Sequence, residues 1–293
     1  MKALLYTVAL LMVHLIAAQN DIKTPSFTDI DSEIFINNHI SIAVDVKGTI
    51  FLEGEKVALN MLEPKLFQTL YKKTKQETLD FFFYTELIID KDTPYTKLRP
   101  LLKKLRALHM RVVFFASEVS VGQKTPYKKV TGISYKLNSL KNSTFLMGKV
   151  LDSINAEKET SKAALSNIPP PPPPPPLPAE ITPKLLRDKK YNTKVIHVQR
   201  GVSVVDGEKL SAMKLTEKLL SWNAKDKVAY LLQIDDNATY QDVLTPIASL
   251  KKAIKVLRNQ KSLKKYDKPF EELDYFQNDE IRAEIPFIIL FDE

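Results

Sequence analysis

Four aspartates stand where an acid–base pair would be sought. "LIIDKDTPYTKLRPLL" (87–102) carries Asp90 and Asp92, and "LLQIDDNATYQDVLTPI" (231–247) carries Asp235 and Asp236. Two carboxylates in one turn can divide general-acid and general-base work if their surroundings set their protonation apart. The same place, between an apolar strand-like run and a helix-like one, also suits a helix cap. In "DKDTPY", Thr93 fits an N-cap with Pro94 at the first helical position. In "NATYQD", Thr239 followed three residues later by Asp242 approximates a capping box. Acidic residues ahead of a helix also face the positive end of its dipole. The two stretches differ at the second carboxylate, because Asn237 stands where Asp92 stands in the first. A cap accepts Asp or Asn, whereas acid–base chemistry does not. Asp90, Thr93 and Tyr95, and likewise Asp235, Thr239 and Tyr240, are therefore expected to form strand-to-helix joints.

Other chemistry finds no foothold. The chain lacks cysteine, which excludes disulfides, thiolate nucleophiles and Cys-based metal sites. Beyond His14, its histidines are His39, His109 and His197, too scattered for HxxxH or HExxH ligation. There is no G-x-S-x-G turn and no glycine cluster to cradle a phosphate. No catalytic residue, cofactor or metal is expected. The net charge of +8 over 293 residues is mild, and both signs alternate along the chain, so nucleic acid is not an expected partner.

Three segments organise the chain. "MKALLYTVALLMVHLIAAQND" holds an uncharged run from Ala3 to Ala18, shorter than the roughly 20 residues that span a bilayer. It reads as a secretory signal peptide, residues 1–18, or a short membrane anchor. The rest is then exported, to the periplasm or cell envelope, and meets membrane only through residues 3–18 if these are retained. "NIPPPPPPPPLPAEITP" (167–183), with Pro169, Pro176 and Pro178, cannot form helix or central strand. It should be polyproline II, a stiff spacer. With the charged stretch before it, it forms a linker over 155–183 between domains at 25–150 and 184–293.

The two domains repeat each other. "ISIAVDVKGTIFLEGEKVAL" and "KVIHVQRGVSVVDGEKLSAM" share a β-rich run, a Gly, five residues, then Gly-Glu-Lys. Gly48, Gly54, Gly201 and Gly207 are four of only 7 glycines, placed where tight turns need φ > 0. Each copy then has a helical face (Leu59, Leu62, Leu66 and Leu70; Leu215, Leu219 and Trp222), a strand ending in Asp, and a Tyr five residues on. A second helical face follows: Tyr95, Leu98, Leu102, Leu105 and Leu108 in one, Tyr240, Val243, Ile247, Leu250 and Ile254 in the other. "MRVVFFAS" and "IPFIILFDE" supply final strands. Each half reads ββαβαβ, so the expected fold is α+β: two small sandwich domains with helices on one face of a sheet. In the basic run "KKAIKVLRNQKSLKKYDK" (251–268), Ala253, Ile254, Leu257 and Leu263 should line the buried side.

This order and spacing, met twice, resembles the periplasmic domain of the ExbD/TolR family. The likeness rests on "GTIFLEGEKVALNML" and "IIDKDTPYTKLRPLLKKL", then on "GVSVVDGEKLSAMKL" and "QIDDNATYQDVLTPIASLKKA", with a closing "FEELDYFQNDEIRAEIPFIILFDE" like the tail of long ExbD-like proteins. It covers about 39–118 and 195–293. It implies a non-enzymatic role in TonB/Tol-type envelope energy transduction (biopolymer transport), with partners of ExbB/TonB or TolQ/TolA type. It also implies domains that associate in pairs, within one chain or as a homodimer. Members carry a proton-handling carboxylate in their membrane helix, yet Ala3–Ala18 contains no Asp or Glu. Proton translocation is therefore not expected. A stand-alone envelope protein that binds peptidoglycan or another polymer through the basic run is the alternative.

Overall fold

Four glycine turns set the two sheets. Gly48, Gly54, Gly201 and Gly207 all have positive φ, between 76° and 86°, conformations that Cβ-bearing residues rarely adopt. At Gly54 and Gly207 the preceding residue is also left-handed (Glu53, φ 49°; Asp206, φ 52°). Two such residues in succession make the two-residue hairpin loop whose twist matches that of its strands. Each Gly-Glu-Lys therefore closes a second hairpin instead of leading straight into a helix. The expected ββαβαβ order gains one short strand in each half.

The computed structural model describes residues 22–25, 33–36, 39–76, 79, 83–110, 112–118, 128–137, 143–162, 191–223 and 227–291. Residues 1–18, expected as a signal peptide or short anchor, and Pro169, Pro176 and Pro178 lie outside these residues. The chain is mixed α and β, with two sheets and, among the described residues, six α-helices. It divides into two compact units: Met1–Thr24, Ser32–Asp90 and Pro100–Glu180 in one, Pro25–Asp31, Lys91–Arg99 and Ile181–Glu293 in the other.

In the first, the order is β1 (Glu33–Ile36), β2 (His39–Val44), β3 (Ile50–Leu52), β4 (Glu55–Val57), α1 (Leu62–Lys75), β5 (Tyr84–Ile89), α2 (Tyr95–Ala107), β6 (Val112–Glu118), β7 (Lys128–Lys136) and α3 (Leu146–Lys162). The first turn of α2, as far as Arg99, counts with the second unit. The seven strands lie in the order β1-β7-β6-β5-β2-β3-β4. β2, β5 and β6 are parallel neighbours, as α1 and α2 between them require, since parallel strands need a crossover. Leu62, Leu66 and Leu70 of α1 are fully buried, as are Ile40, Ile42 and Val44 of β2 and Leu87 and Ile89 of β5. Helix α3 packs on α1 and runs past residue 155, into the stretch expected as linker. Its Val150 and Ile154 are buried, and Glu157 pairs with Lys75 at 2.8 Å.

In the second unit β8 (Asn192–Gln199), β9 (Val202–Val205), β10 (Glu208–Leu210), α4 (Ala212–Asn223), β11 (Val228–Ile234), α5 (Tyr240–Tyr266), α6 (Tyr275–Glu284) and β12 (Ile289–Phe291) follow in turn. The sheet order is β10-β9-β8-β11-β12, with β8, β11 and β12 parallel. This matches β4-β3-β2-β5-β6 strand for strand. α4 packs on α5, and α5 on β8 and β9. All ten residues expected on the faces of α2 and α5 are buried. Leu263 departs from expectation at 45% exposed, while Ser262 is fully buried. The inward line of α5 runs Leu250, Ile254, the half-buried Arg258 and Ser262, in steps of four, and Leu263 lies one step off it. Ser262 Oγ donates to the Lys268 carbonyl at 2.6 Å, and Arg258 donates twice to the Ile285 carbonyl, at 2.9 and 2.8 Å.

Candidate functional site

The two strand-to-helix joints share one backbone bond. The Asp90 N–H donates to the Val44 carbonyl and the Asp235 N–H to the Val198 carbonyl, each at 3.0 Å. In both cases the aspartate extends its parallel strand by one rung before the chain turns.

Beyond that bond the joints differ. In the second, Thr239 is an extended N-cap (φ −95°, ψ 171°) in a complete capping box. Asp242 Oδ2 accepts from the Thr239 N–H and from its hydroxyl, each at 2.8 Å. Asp242 Oδ1 accepts from the Gly201 N–H at 2.9 Å. One carboxylate thus holds both a helix start and the turn of the β8–β9 hairpin, where positive φ leaves an N–H facing outward. Asp235 and Asp236 are exposed.

At the first joint, α2 begins at Tyr95, directly after Pro94. Thr93 therefore stands one residue before the position Thr239 holds, and Lys97 occupies the place of Asp242. Asp90 is buried, and its Oδ2 accepts from the Lys23 N–H at 3.0 Å, whereas Asp92 is exposed. One partner of Asp90 is thus main chain of the short described stretch 22–25. The matching hairpin turn is tied from within, since Asp45 Oδ1 accepts from the N–H groups of Lys47 (2.9 Å) and Thr49 (2.8 Å).

Within the second unit, Lys91–Arg99 is bonded to the start of α5 through main chain. The Tyr95 N–H donates to Ala238 (2.9 Å), the Tyr240 N–H to Thr93 (2.9 Å) and the Gln241 N–H to Lys91 (3.0 Å), around an antiparallel bridge of Pro94 with Thr239. Tyr95 and Tyr240 are both buried. The Arg99 guanidinium lies over the Tyr95 ring at 5.5 Å. Burial pushes the Tyr240 hydroxyl pKa well above the ordinary 10.0.

Sequence reasoning missed a second polar group. Glu86, in the middle of β5, is fully buried, and its Oε2 lies 3.5 Å from His39 Nε2. Lys73 Nζ donates to the His39 carbonyl at 3.2 Å and pairs with Glu53 at 2.9 Å. The available signal was a lone Glu inside the apolar run "FFFYTELIID". His109 has a structural task. At φ 57° it closes α2 in a Schellman motif, with Met110 N–H to Leu105 O (2.9 Å) and His109 N–H to Arg106 O (3.1 Å).

The basic run meets carboxylates of the segment that follows it. Lys255 pairs with Glu271 (3.1 Å), Lys261 with Glu284 (2.7 Å), and Lys265 with Glu280 (2.5 Å) and Glu284 (3.0 Å). The pairing holds the Glu280 and Glu284 carboxyls below their ordinary 4.5 and raises the Lys265 pKa. Lys251 is pushed down to about 8 by burial, with a smaller effect from Lys255. No described helix is long and apolar enough to cross a membrane. Comparison with protein-family models, with curated proteins and with solved structures finds no match for the chain.

Proposed function

We propose that this chain is an exported, non-enzymatic partner-binding module of a TonB/Tol-type envelope energy-transduction system, built from two domains of the ExbD/TolR periplasmic kind joined by a proline spacer. The observation that carries the reading is the repeated scaffold. Both halves have the same five-strand order, the same pair of glycine hairpins, and the same Asp-to-Val backbone bond at the strand end. The parts of the joints that differ, the side-chain partners, are the parts chemistry would need alike. Three lysines of 251–268 (Lys255, Lys261 and Lys265) pair with carboxylates of 271–284, which lowers the positive charge that surface can offer an anionic polymer and supports a protein partner.

The test is purification of the full chain from its native envelope under mild crosslinking. Energiser subunits of ExbB/TonB or TolQ/TolA type should accompany it. Recovery of the mature chain only outside the cell, attached to none of them, would overturn the proposal. Sequencing the mature N-terminus separates a secreted module, beginning after Ala18, from an anchored one that keeps Met1.

A further inference from the structure

Among the described residues the two most exposed large apolar side chains are neighbours. Tyr275 and Phe276, opening α6, are 78% and 82% exposed. Their ring centroids are 5.6 Å apart with planes at 83°, so the pair offers two aromatic faces at a right angle. Beside Tyr275 lies a depression of about 460 Å³ lined by Leu273, Asp274, Tyr275, Asn278, Asp279 and Arg282. Exposed rings on a rigid helix next to polar donors suit a polyproline helix. Its flat pyrrolidine faces stack on aromatics, and its carbonyls, unbonded within the strand, need donors. Arg282 has five N–H donors and spends Nε on Asn278 Oδ1.

The chain itself contains a run of the composition that such a ligand needs. Pro169–Pro176 are consecutive prolines, followed by Leu177 and Pro178. The residues after them are basic on balance, with Lys184, Arg187, Lys189 and Lys190 against Glu180 and Asp188. The face around the aromatic pair presents Glu272, Asp274 and Asp279, so charge fits as well as shape. Among the described residues nothing covers either ring.

We propose that the Tyr275–Phe276 face receives the proline run 169–178 of a second copy of this chain. Reciprocal exchange gives two such contacts in a closed dimer, and the second forms at the raised effective concentration set by the first. The assignment is independent of the envelope reading, since it concerns only how copies of the chain meet.

Sedimentation equilibrium of the full chain tests it, with two variants, Tyr275→Ala/Phe276→Ala and replacement of 169–176 by Gly/Ser of equal length, and with an equimolar mixture of the two. The native chain should dimerise. Each variant alone should weaken the dimer by at least about tenfold, with an unchanged circular dichroism spectrum. The mixture, which restores one contact, should regain part of the association. A synthetic 167–180 peptide should shift the amide resonances of 273–282 in the Gly/Ser variant. A monomeric native chain, a dimer indifferent to either variant, or a peptide that leaves those resonances unmoved overturns the proposal.

Discussion

The first half of the chain stops its second helix where the second half does not. Aligned on their tyrosines, α2 and α5 carry matching apolar residues through Leu105 and Leu250, but α2 ends at Ala107 and α5 continues to Tyr266. At the stopping place the first half has Leu108-His109-Met110, with His109 left-handed. The second has Ala253-Ile254-Lys255. A β-branched isoleucine resists the left-handed conformation that histidine accepts, so the helix runs on. Its end comes only at Asp267, again left-handed at φ 54°. The longer helix must then be covered, and 270–284 contributes to this by supplying carboxylates that pair with Lys255, Lys261 and Lys265. A shared scaffold thus diverges through one local stop signal.

The comparison can be broken at its core first. Leu66→Ala in α1 and Leu219→Ala in α4 remove matching, fully buried side chains. Each should cost about 2–5 kcal/mol in denaturant unfolding, and markedly unequal costs would show that the halves do not pack alike. The joints should respond unequally. Asp242→Ala removes the capping box and the Gly201 bond together and should cost about 2 kcal/mol. Lys97→Ala, at the matching exposed place, should change stability by less than about 0.5 kcal/mol. Gly207→Ala puts a Cβ at φ 81°, where no atom lies within 4 Å. Its cost of about 1 kcal/mol would measure the backbone conformation alone, and Gly201→Ala repeats the measurement.

The smallest effect concerns pH. The Glu280 and Glu284 carboxyls are held below the ordinary 4.5. Their contribution is therefore present above pH 4.5 and is lost as the pH falls through the lowered folded values. Amide protection in α6, corrected for the intrinsic exchange rate, should fall in that acid range ahead of protection in α4. A uniform fall in both helices would refute the assignment.

Much of this was legible in the residues. The repeat, the four positive-φ glycines and every residue on the faces of α2 and α5 follow from spacing alone. The third strands, β4 and β10, did not, because three residues after a turn carry too little alternation to separate a strand from a helix lead-in. Thr239 and Asp242 showed the capping box, yet nothing local could show Asp242 reaching Gly201, 41 residues away. Thr93 was set one position late, since Pro94 fits either side of a helix start. Leu263 was assigned inward from its type, but geometry places Ser262 there. Glu86 was overlooked because its partner lies on another strand.

Each sheet finishes on a strand of three residues, β4 at one edge and β10 at another. Both begin with an exposed Glu-Lys pair before one inward apolar residue. A bare sheet border invites stacking by any neighbouring chain, and brevity together with outward charge discourages it. At high local density the chain can therefore crowd without growing into fibres from these borders.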